Sequence, residues 1–425
     1  MGSRDPPRSP RRWPLGVLVL AVGLWCLQLA RYLDRDTPRA PTRASAASMA
    51  AAPTMPPVAP LKRADTQAPR PTPTARSSVT GASATRAEAG QAEVCGFGKA
   101  PFAADDPYSL KQIPPAVRQR ALDEIEAHLL ASADPQVQAA ALLLAAKARD
   151  DGRSRIDTLA RLAVASQDPL VYAIALEGCK GRTEGDAASC GLLSIAQWVR
   201  LDPDNAQPWL ELAAQAQQQH DADAEVEAMR RAAWAHRSDA HAGLLASLVE
   251  GALETQTPLL QRTLAASASW SIQASWGPPH TSQAYAYCAV DIDADPARRD
   301  TCEAIAETLS YSSTSVTDLS VGLAIAKKLG WPAQRLQALQ QEHDAINEAG
   351  GAPLIGVDFS CDAVDRMQAW IRQLGTRGER QAMRDVLARS GRSVEEWSAQ
   401  YRRNFKLAEA AAQTASLSQA AGAAP

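Results

Sequence analysis

The chain has 425 residues and a formal net charge of −3 at pH 7, but this nearly neutral total hides two parts of opposite charge. Residues 1–94 carry 13 Lys and Arg against 6 Asp and Glu, whereas residues 95–425 carry 31 against 41. The acidic larger part excludes a nucleic-acid surface, since phosphate binding needs clustered cations. Only 5% of the residues are aromatic, so the core depends on alanine and aliphatic side chains, which favours packed helices over a sheet.

The basic part begins with a charged segment, residues 1–12, that is followed by an apolar run. Residues 13–30 contain no charged side chain, and as a helix they rise by roughly 27 Å, close to the hydrocarbon thickness of a bilayer. We therefore expect a transmembrane signal anchor at residues 13–33, with residues 1–12 in the cytoplasm. A cleaved signal peptide is the main alternative, but the first good small-x-small site, at residues 44–46, lies well beyond the run. A buried core helix is a third alternative.

Low-complexity sequence flanks the larger part on both sides. Residues 34–94 are rich in Pro, Ala, Thr and Arg without apolar periodicity, and they predict a disordered linker that as a flexible coil spans roughly 40 Å. Residues 408–425 are rich in Ala, Ser and Gln and predict a disordered tail. One folded region, residues 95–407, is expected between them.

The folded region is predicted to be all-α. Apolar residues recur at helical spacing, as at Val117, Ala121, Ile125 and Leu129, and about sixteen such segments follow one another without a strand-like alternation. Three helix starts carry an acidic cap before a proline, namely Asp134, Asp168 and Asp295. Regularly spaced, alanine-rich helices indicate antiparallel pairs that stack on one another.

Six cysteines lie beyond residue 94, at Cys95, Cys179, Cys190, Cys288, Cys302 and Cys361. Cys179 and Cys190 join the end of one predicted helix to the start of the next, and Cys288 and Cys302 repeat this arrangement. We expect these two disulfides, with Cys95 and Cys361 left as a third, long-range pair. Buried free thiols are the alternative, and zinc is disfavoured because no Cys-x-x-Cys occurs.

The expected disulfides also indicate on which side of the membrane the folded region lies. The arginines before and after residues 13–33 nearly balance, so the charge rule for topology does not decide. Disulfides form in oxidising compartments. We therefore expect a single-pass protein of the inner, cytoplasmic membrane, with its C-terminal domain in the periplasm or outside the cell.

One window, residues 201–235, contains a specific set of packing residues. They are Pro203, Trp209, Leu212, Ala213, Ala228, Met229 and Ala232. This window resembles a tetratricopeptide repeat. It departs from that family at Glu225, where a small residue is usual, and at Ala216, which replaces an aromatic residue. The resemblance implies a superhelix of helix pairs that binds a protein or peptide in a concave groove and performs no chemistry of its own.

Motifs for catalysis or metal binding are absent from the sequence. It contains no His-Glu-x-x-His, and His236 and His241 are five residues apart, off a common helical face. Phosphate-binding and nucleophile-elbow motifs are also missing. The acidic loop at residues 291–295 lacks the glycine and the glutamate of a calcium loop and is interpreted as solvated. We therefore predict no catalytic residue, no metal site and no cofactor.

Two clusters remain as candidate binding features. Five aromatic residues fall within a short stretch, at Trp270, Trp276, Tyr285, Tyr287 and Tyr311, and they could line a groove or fill the core between helices. Eight arginines lie between residues 372 and 403, either on a solvated face or opposite an acidic partner.

Together these features predict a membrane-anchored helical-repeat scaffold of a bacterial cell envelope, with a protein or peptide as its partner and no enzymatic activity. The alternative is an envelope hydrolase or glycan-binding protein that uses an aromatic groove between residues 270 and 311.

Overall fold

The computed structural model describes residues 90–102, 110, 113–148, 152–180, 188–241, 243–253, 256–276, 281–290, 292–350 and 359–407. The predicted cytoplasmic segment 1–12, the anchor 13–33, the linker up to residue 89 and the tail 408–425 lie outside these residues. Within the described part, no helix combines the length and the apolar character that a membrane span requires.

A short hairpin precedes a succession of helices. Strand β1 (Gly90–Val94) pairs antiparallel with β2 (Gly98–Phe102), with Val94 opposite Gly98. The helices are α1 (Pro115–Leu130), α2 (Pro135–Ala148), α3 (Arg153–Ser166), α4 (Pro169–Cys179), α5 (Ile195–Leu201), α6 (Ala206–Gln218), α7 (Ala222–Trp234), α8 (Leu244–Ala252), α9 (Leu259–Ser275), α10 (Thr281–Ala289), α11 (Pro296–Tyr311), α12 (Val316–Leu329), α13 (Ala333–Gly350), α14 (Cys361–Arg377) and α15 (Glu379–Arg389). A 3₁₀ helix (Ala188–Leu192) separates α4 from α5, and residues 394–407 are helical. The prediction of a mostly helical domain is confirmed.

The acidic caps form as their sequence positions predict. The carboxylate of Asp168 accepts hydrogen bonds from the backbone N–H groups of Leu170 and Val171, at 2.8 and 3.0 Å. Asp134 and Asp295 accept equivalent bonds at the starts of α2 and α11. Each cap satisfies N–H groups that have no partner within the helix, so the chain itself determines where these helices begin.

Neighbouring helices pack against each other, most extensively α6 with α7 and α11 with α12. One core draws its buried residues from the hairpin, α1–α5, α8 and α9, and a second from α6, α7 and α10–α15. Contacts also connect helices far apart in sequence: α9 packs on α1, and α8 packs on both α2 and α14. The stacked pairs are therefore supplemented by long-range helix contacts, which a purely local repeat pattern does not predict.

The hairpin differs from the sequence prediction, which placed residues 90–94 in the disordered linker. Val94 and Cys95 are buried. The N–H of Cys95 donates to the carbonyl of Phe359 at 2.7 Å, and the hydroxyl of Thr263 donates to the carbonyl of Cys95 at 3.2 Å. Because its apolar residues and backbone groups have partners, this segment belongs to the folded region, and the predicted boundary at residue 94 falls too late.

The tetratricopeptide-like window forms the closely packed pair α6 and α7. Its four small or flexible packing residues, Ala213, Ala228, Met229 and Ala232, are buried, and Trp209 and Leu212 pack half-buried against the same core. Pro203 is different, because its ring is exposed and it contributes only a carbonyl that accepts from the indole N–H of Trp209 at 2.9 Å.

All three expected disulfides are present. Cys179 bonds to Cys190 and Cys288 to Cys302, across separations of 11 and 14 residues. Cys95 bonds to Cys361, 266 residues away, and so attaches the hairpin to the start of α14. The alternatives of free thiols and of a zinc site are excluded for these six side chains.

Candidate binding cleft

The five aromatic residues of the predicted groove are distributed over different parts of the fold. Tyr287 is buried in the second core, and Trp270 and Tyr285 pack half-buried against that core. Tyr311 is 48% exposed and stacks on Trp331. The fifth, Trp276, packs against the first core and is the one member that lines a described cleft.

Four of the eight arginines between residues 372 and 403 pair with acidic side chains. Arg380 is only 2% exposed, and its guanidinium donates to both carboxylate oxygens of Glu342, at 2.8 and 2.9 Å. Arg372 donates to Glu250 at 2.8 Å. Burial alone would raise the pKa of Glu342. The guanidinium groups of Arg380 and Arg384 outweigh burial and hold this pKa below its usual range. This segment is therefore part of an internal ion-pair system and does not form a uniform basic face.

A cleft opens between α4, α5 and α6, close to the end of α9. Its volume is about 350 Å³, including the solvent at its mouth. The lining residues are Ala173, Leu176, Glu177, Lys180, Ile195, Trp198, Glu211, Ala240, His241 and Trp276. The Cys179–Cys190 disulfide attaches the end of α4 to the 3₁₀ helix next to this wall, so the cleft is built on covalently fixed elements.

Two buried polar groups of the cleft come from α4 and α5. Trp198 is 6% exposed, and its indole N–H has no hydrogen-bond partner among the described residues. Glu177 is 9% exposed, and its Oε2 lies 2.9 Å from Nζ of Lys180. That contact is an ion pair within the wall of the cleft. Glu177 is therefore neutralised by Lys180, whereas the indole N–H of Trp198 has no partner in the described chain.

His241 supplies the third polar group, and its backbone is held in the left-handed region with φ of 56°. Its N–H donates to Oδ1 of Asp239 at 2.8 Å, and its Nδ1 lies 3.5 Å from Oδ2 of the same carboxylate. Burial raises the pKa of Asp239, but His241 and the hydroxyl of Thr314 outweigh this and hold it well below its usual range. An ionised Asp239 orients the imidazole, whose Nε2 is buried without a partner in the described chain.

The segment that carries His241 is fixed by two polar anchors. Asn205 accepts from the N–H of Asp239 at 2.9 Å and donates to its carbonyl at 3.0 Å. The hydroxyl of Ser238 donates to Asp318 at 2.8 Å. Since both bonds join residues far apart in sequence, the position of the imidazole depends on the packing of α6 and α12 around residues 238–241.

Asp318 is the centre of a buried network that the sequence did not reveal. Besides Ser238, its carboxylate accepts from the amide of Gln207, at 2.9 and 3.0 Å, and from the hydroxyl of Thr281 at 3.1 Å. Burial raises the pKa of Asp318 to about 6, although these hydrogen bonds act in the opposite direction. The network joins the first turns of α6, α10 and α12, behind the segment that carries His241.

The cleft differs from the groove that the sequence predicted, although one signal pointed to it. Glu177 interrupts an otherwise apolar run in α4, and an acidic side chain in such a run marks a buried polar position. The contributions of Trp198, Glu211 and His241 could not be foreseen, because they come from separate elements. Within the described residues, no group of His, Cys, Asp or Glu side chains is arranged to hold a metal ion.

Comparisons of the chain with protein-family models, with characterised proteins and with solved structures find no significant match. The geometry of the cleft is therefore the main guide to function.

Proposed function

We propose that the protein is a membrane-anchored helical-repeat scaffold of a bacterial cell envelope, that it binds a segment of another protein, and that it has no catalytic activity of its own. One observation carries the proposal. The cleft is lined by two side chains, Trp198 and His241, that each have a buried ring nitrogen without a hydrogen-bond partner in the described chain. A buried polar group left unpaired is costly, and a partner that supplies the missing bonds would bind with that energy.

The position of the cleft supports a protein or peptide as the partner. Glu211 lies on α6, the first helix of the tetratricopeptide-like pair, and Trp198 lies on the preceding helix α5. Proteins of that repeat family hold extended segments against successive helices, and here α4, α5 and α6 follow one another around the cleft. The proposed superhelical arrangement thus places the cleft on the face that such a segment would cover.

The three disulfides support an oxidising compartment, since such bonds persist outside the cytoplasm. The proposed topology follows: an inner-membrane anchor at residues 13–33, residues 1–12 in the cytoplasm, and the helical domain in the periplasm or outside. A linker before the domain would let it reach partners at a distance from the bilayer.

Site-specific photo-crosslinking in intact membranes tests the proposal. A diazirine-bearing residue at Ile195, in the wall of the cleft, is expected to capture a discrete protein partner. The matched control places the same group at Val226, which is apolar and 44% exposed on α7, outside the cleft. Identical adducts from both positions, or none from either, would contradict a partner site in the cleft.

A second candidate function is the binding or hydrolysis of an envelope glycan. The specific observation in its favour is that Trp276 lines the same cleft as Glu177 and Glu211, since tryptophan rings stack on sugars and paired carboxylates serve glycoside hydrolysis. This function requires the full chain to sediment with insoluble peptidoglycan or to release soluble fragments from it, and Trp276→Ala to abolish that behaviour. Absence of both would rule it out.

A further inference from the structure

The three disulfides differ in how deeply their cysteines are buried. In Cys288–Cys302 both cysteines lie in the second core and are 1% and 0% exposed. In Cys95–Cys361 one cysteine is 3% exposed and the other is half-buried. In Cys179–Cys190 both cysteines are half-buried against the first core, and the residues that follow them, Lys180 and Gly191, are exposed. Cys179–Cys190 is therefore the most accessible of these three bonds.

Accessibility decides which disulfide reacts while the protein remains folded. Thiol–disulfide exchange requires a thiolate to reach one of the two sulfur atoms, and its rate depends on this access. A reagent in solvent meets Cys179–Cys190 at the surface of the folded domain, whereas the core around Cys288–Cys302 must open first. Cys95–Cys361 is intermediate, because one of its two cysteines is enclosed.

The elements that follow Cys179–Cys190 have anchors besides this bond. In the 3₁₀ helix, the N–H of Ser189 donates to Oδ1 of Asp157 at 2.7 Å, and the guanidinium of Arg161 donates to the hydroxyl of Ser189 at 3.2 Å. At the start of α5, the N–H of Ser194 donates to the hydroxyl of Tyr172 at 2.9 Å. Since these hydrogen bonds do not involve the sulfur atoms, the 3₁₀ helix and α5 should keep their positions when the disulfide opens.

The end of α4 depends more directly on the disulfide. The helix ends at Cys179, and its C-cap is Lys180, whose N–H donates to the carbonyl of Glu177 at 3.3 Å. The last carbonyls of a helix have no partner within it, so a terminal turn frays readily when it is not held. Glu177 and Lys180 both line the cleft. Opening the disulfide should therefore change the wall of the cleft at this ion pair.

We propose that Cys179–Cys190 is a thiol-exchange site, which a dithiol opens in the folded protein, and that opening rearranges the wall of the cleft at Glu177 and Lys180. A thiolate of the dithiol attacks one sulfur atom, the S–S bond breaks, and the other sulfur leaves as a thiolate that takes up a proton. The second thiol of the reagent loses its proton and attacks the mixed disulfide. The dithiol is thereby oxidised to a disulfide, and both cysteines are reduced to thiols. This site goes beyond the proposed function, because it requires no partner protein.

Stepwise reduction of the full chain in detergent micelles tests the proposal. Free thiols are blocked, dithiothreitol is added at increasing concentration, and the new thiols are alkylated and located by peptide mass spectrometry. Cys179 and Cys190 are expected to react at a concentration about tenfold lower than the other two pairs, because exchange depends on access. The helical circular dichroism should persist at this stage. Cys288–Cys302 is the internal control and should be reduced last.

Hydrogen exchange of the selectively reduced chain tests the second part. Exchange should rise in peptides that cover residues 176–180 and change little in those that cover residues 188–194. The double variant Cys179→Ser with Cys190→Ser should reproduce this pattern without any reductant.

Three results would overturn the proposal. The first is reduction of either other disulfide before Cys179–Cys190, and the second is reduction of all three together with loss of the helical signal. The third is selective reduction that leaves hydrogen exchange at residues 176–180 unchanged. Capture of a partner at Ile195 is measured separately on the oxidised chain, so failure of the exchange site and failure of the proposed function are distinguishable.

Discussion

Asp318 has no exposed surface, and its charge is tolerated only because hydroxyl and amide groups surround it. Burial nevertheless raises its pKa to about 6, from an ordinary value of 3.8. A group whose pKa is higher in the folded state stabilises the fold most below the unfolded pKa, and this contribution is lost as pH rises through the folded pKa. Burial also raises the pKa values of Glu250 and Glu379, which adds to this effect, whereas the lowered pKa values of Asp239, Glu342 and Asp344 act in the opposite direction.

We therefore expect Asp318 to lower the free energy of unfolding by about 3 kcal/mol as pH rises from about 4 to about 6.5. Relative to the unmodified chain, Asp318→Asn should remove this contribution to the pH dependence, because the amide is uncharged at every pH and the hydroxyls of Ser238 and Thr281 can reverse their bonds. Urea midpoints of the full chain, followed by circular dichroism across this pH range, measure it. Asp293→Asn, at a side chain that is 95% exposed, should keep the slope. An unchanged slope in Asp318→Asn would contradict the assignment.

At this scale the sequence predicts local features and misses distant ones. The caps at Asp134, Asp168 and Asp295 were predictable because each aspartate bonds to N–H groups within the next turn. The hydrogen bond from Gln207 to Asp318 was not predictable, since 111 residues separate the two side chains. The same holds for the cleft, whose polar groups come from α4, α5 and the segment before α8.

At the level of elements, the crossing of α8 and α14 depends on a glycine. A Cβ atom at Gly375 would lie 1.8 Å from Oγ and 2.1 Å from Cβ of Ser247. The two helices approach this closely only because residue 375 has no side chain. Helix α14 in turn carries Met367 and Ile371, which pack with Ala246 of α8 and Ala266 of α9, so this crossing joins the middle of the folded region to its C-terminal part.

Gly375→Ala should therefore destabilise the fold by about 2 kcal/mol, because the helices must separate or shift to admit the methyl group. The matched control is Gly251→Ala, on the exposed side of α8, where a Cβ atom would meet nothing within 4 Å. That variant should be neutral or gain up to about 1 kcal/mol from helix propensity. Adding Ser247→Gly to Gly375→Ala should restore much of the loss. Equal urea midpoints for the two alanine variants would argue against a close crossing.

The repeat pattern in the sequence predicts contacts between helices that follow one another, but not contacts between helices that are distant in sequence. Residues 201–235 correctly indicated the packing of α6 on α7, because the residues at that interface are close in sequence. The contacts of α9 with α1, and of α8 with α2 and α14, depend on how the chain returns on itself. The hairpin at residues 90–102 was missed for the same reason, since its buried side contacts α9 and the start of α14.

At the scale of the whole molecule, the disulfide between Cys95 and Cys361 joins distant parts of the chain covalently, as the contacts between α8, α9 and α14 join them by packing. It closes a loop of 266 residues, whereas Cys179–Cys190 closes one of 11. In the chain-entropy description, a disulfide stabilises a protein by restricting its unfolded state, and the effect grows with the logarithm of the loop length. The long-range bond should therefore contribute about 5.5 kcal/mol and the short one about 3 kcal/mol.

Replacing Cys95 and Cys361 together by alanine should then lower the free energy of unfolding roughly twice as much as replacing Cys179 and Cys190. The first pair also holds the hairpin, whose N–H at residue 95 bonds to Phe359, so its loss should expose β1 and β2 to proteolysis before the helices unfold. The short pair joins the end of α4 to the 3₁₀ helix, so its loss should leave the hairpin protected from proteolysis. Urea midpoints and limited proteolysis of both double variants, in the full chain, separate these effects. A smaller stability loss for the long-range pair would show that non-covalent packing of α8, α9 and α14 already holds the two ends together.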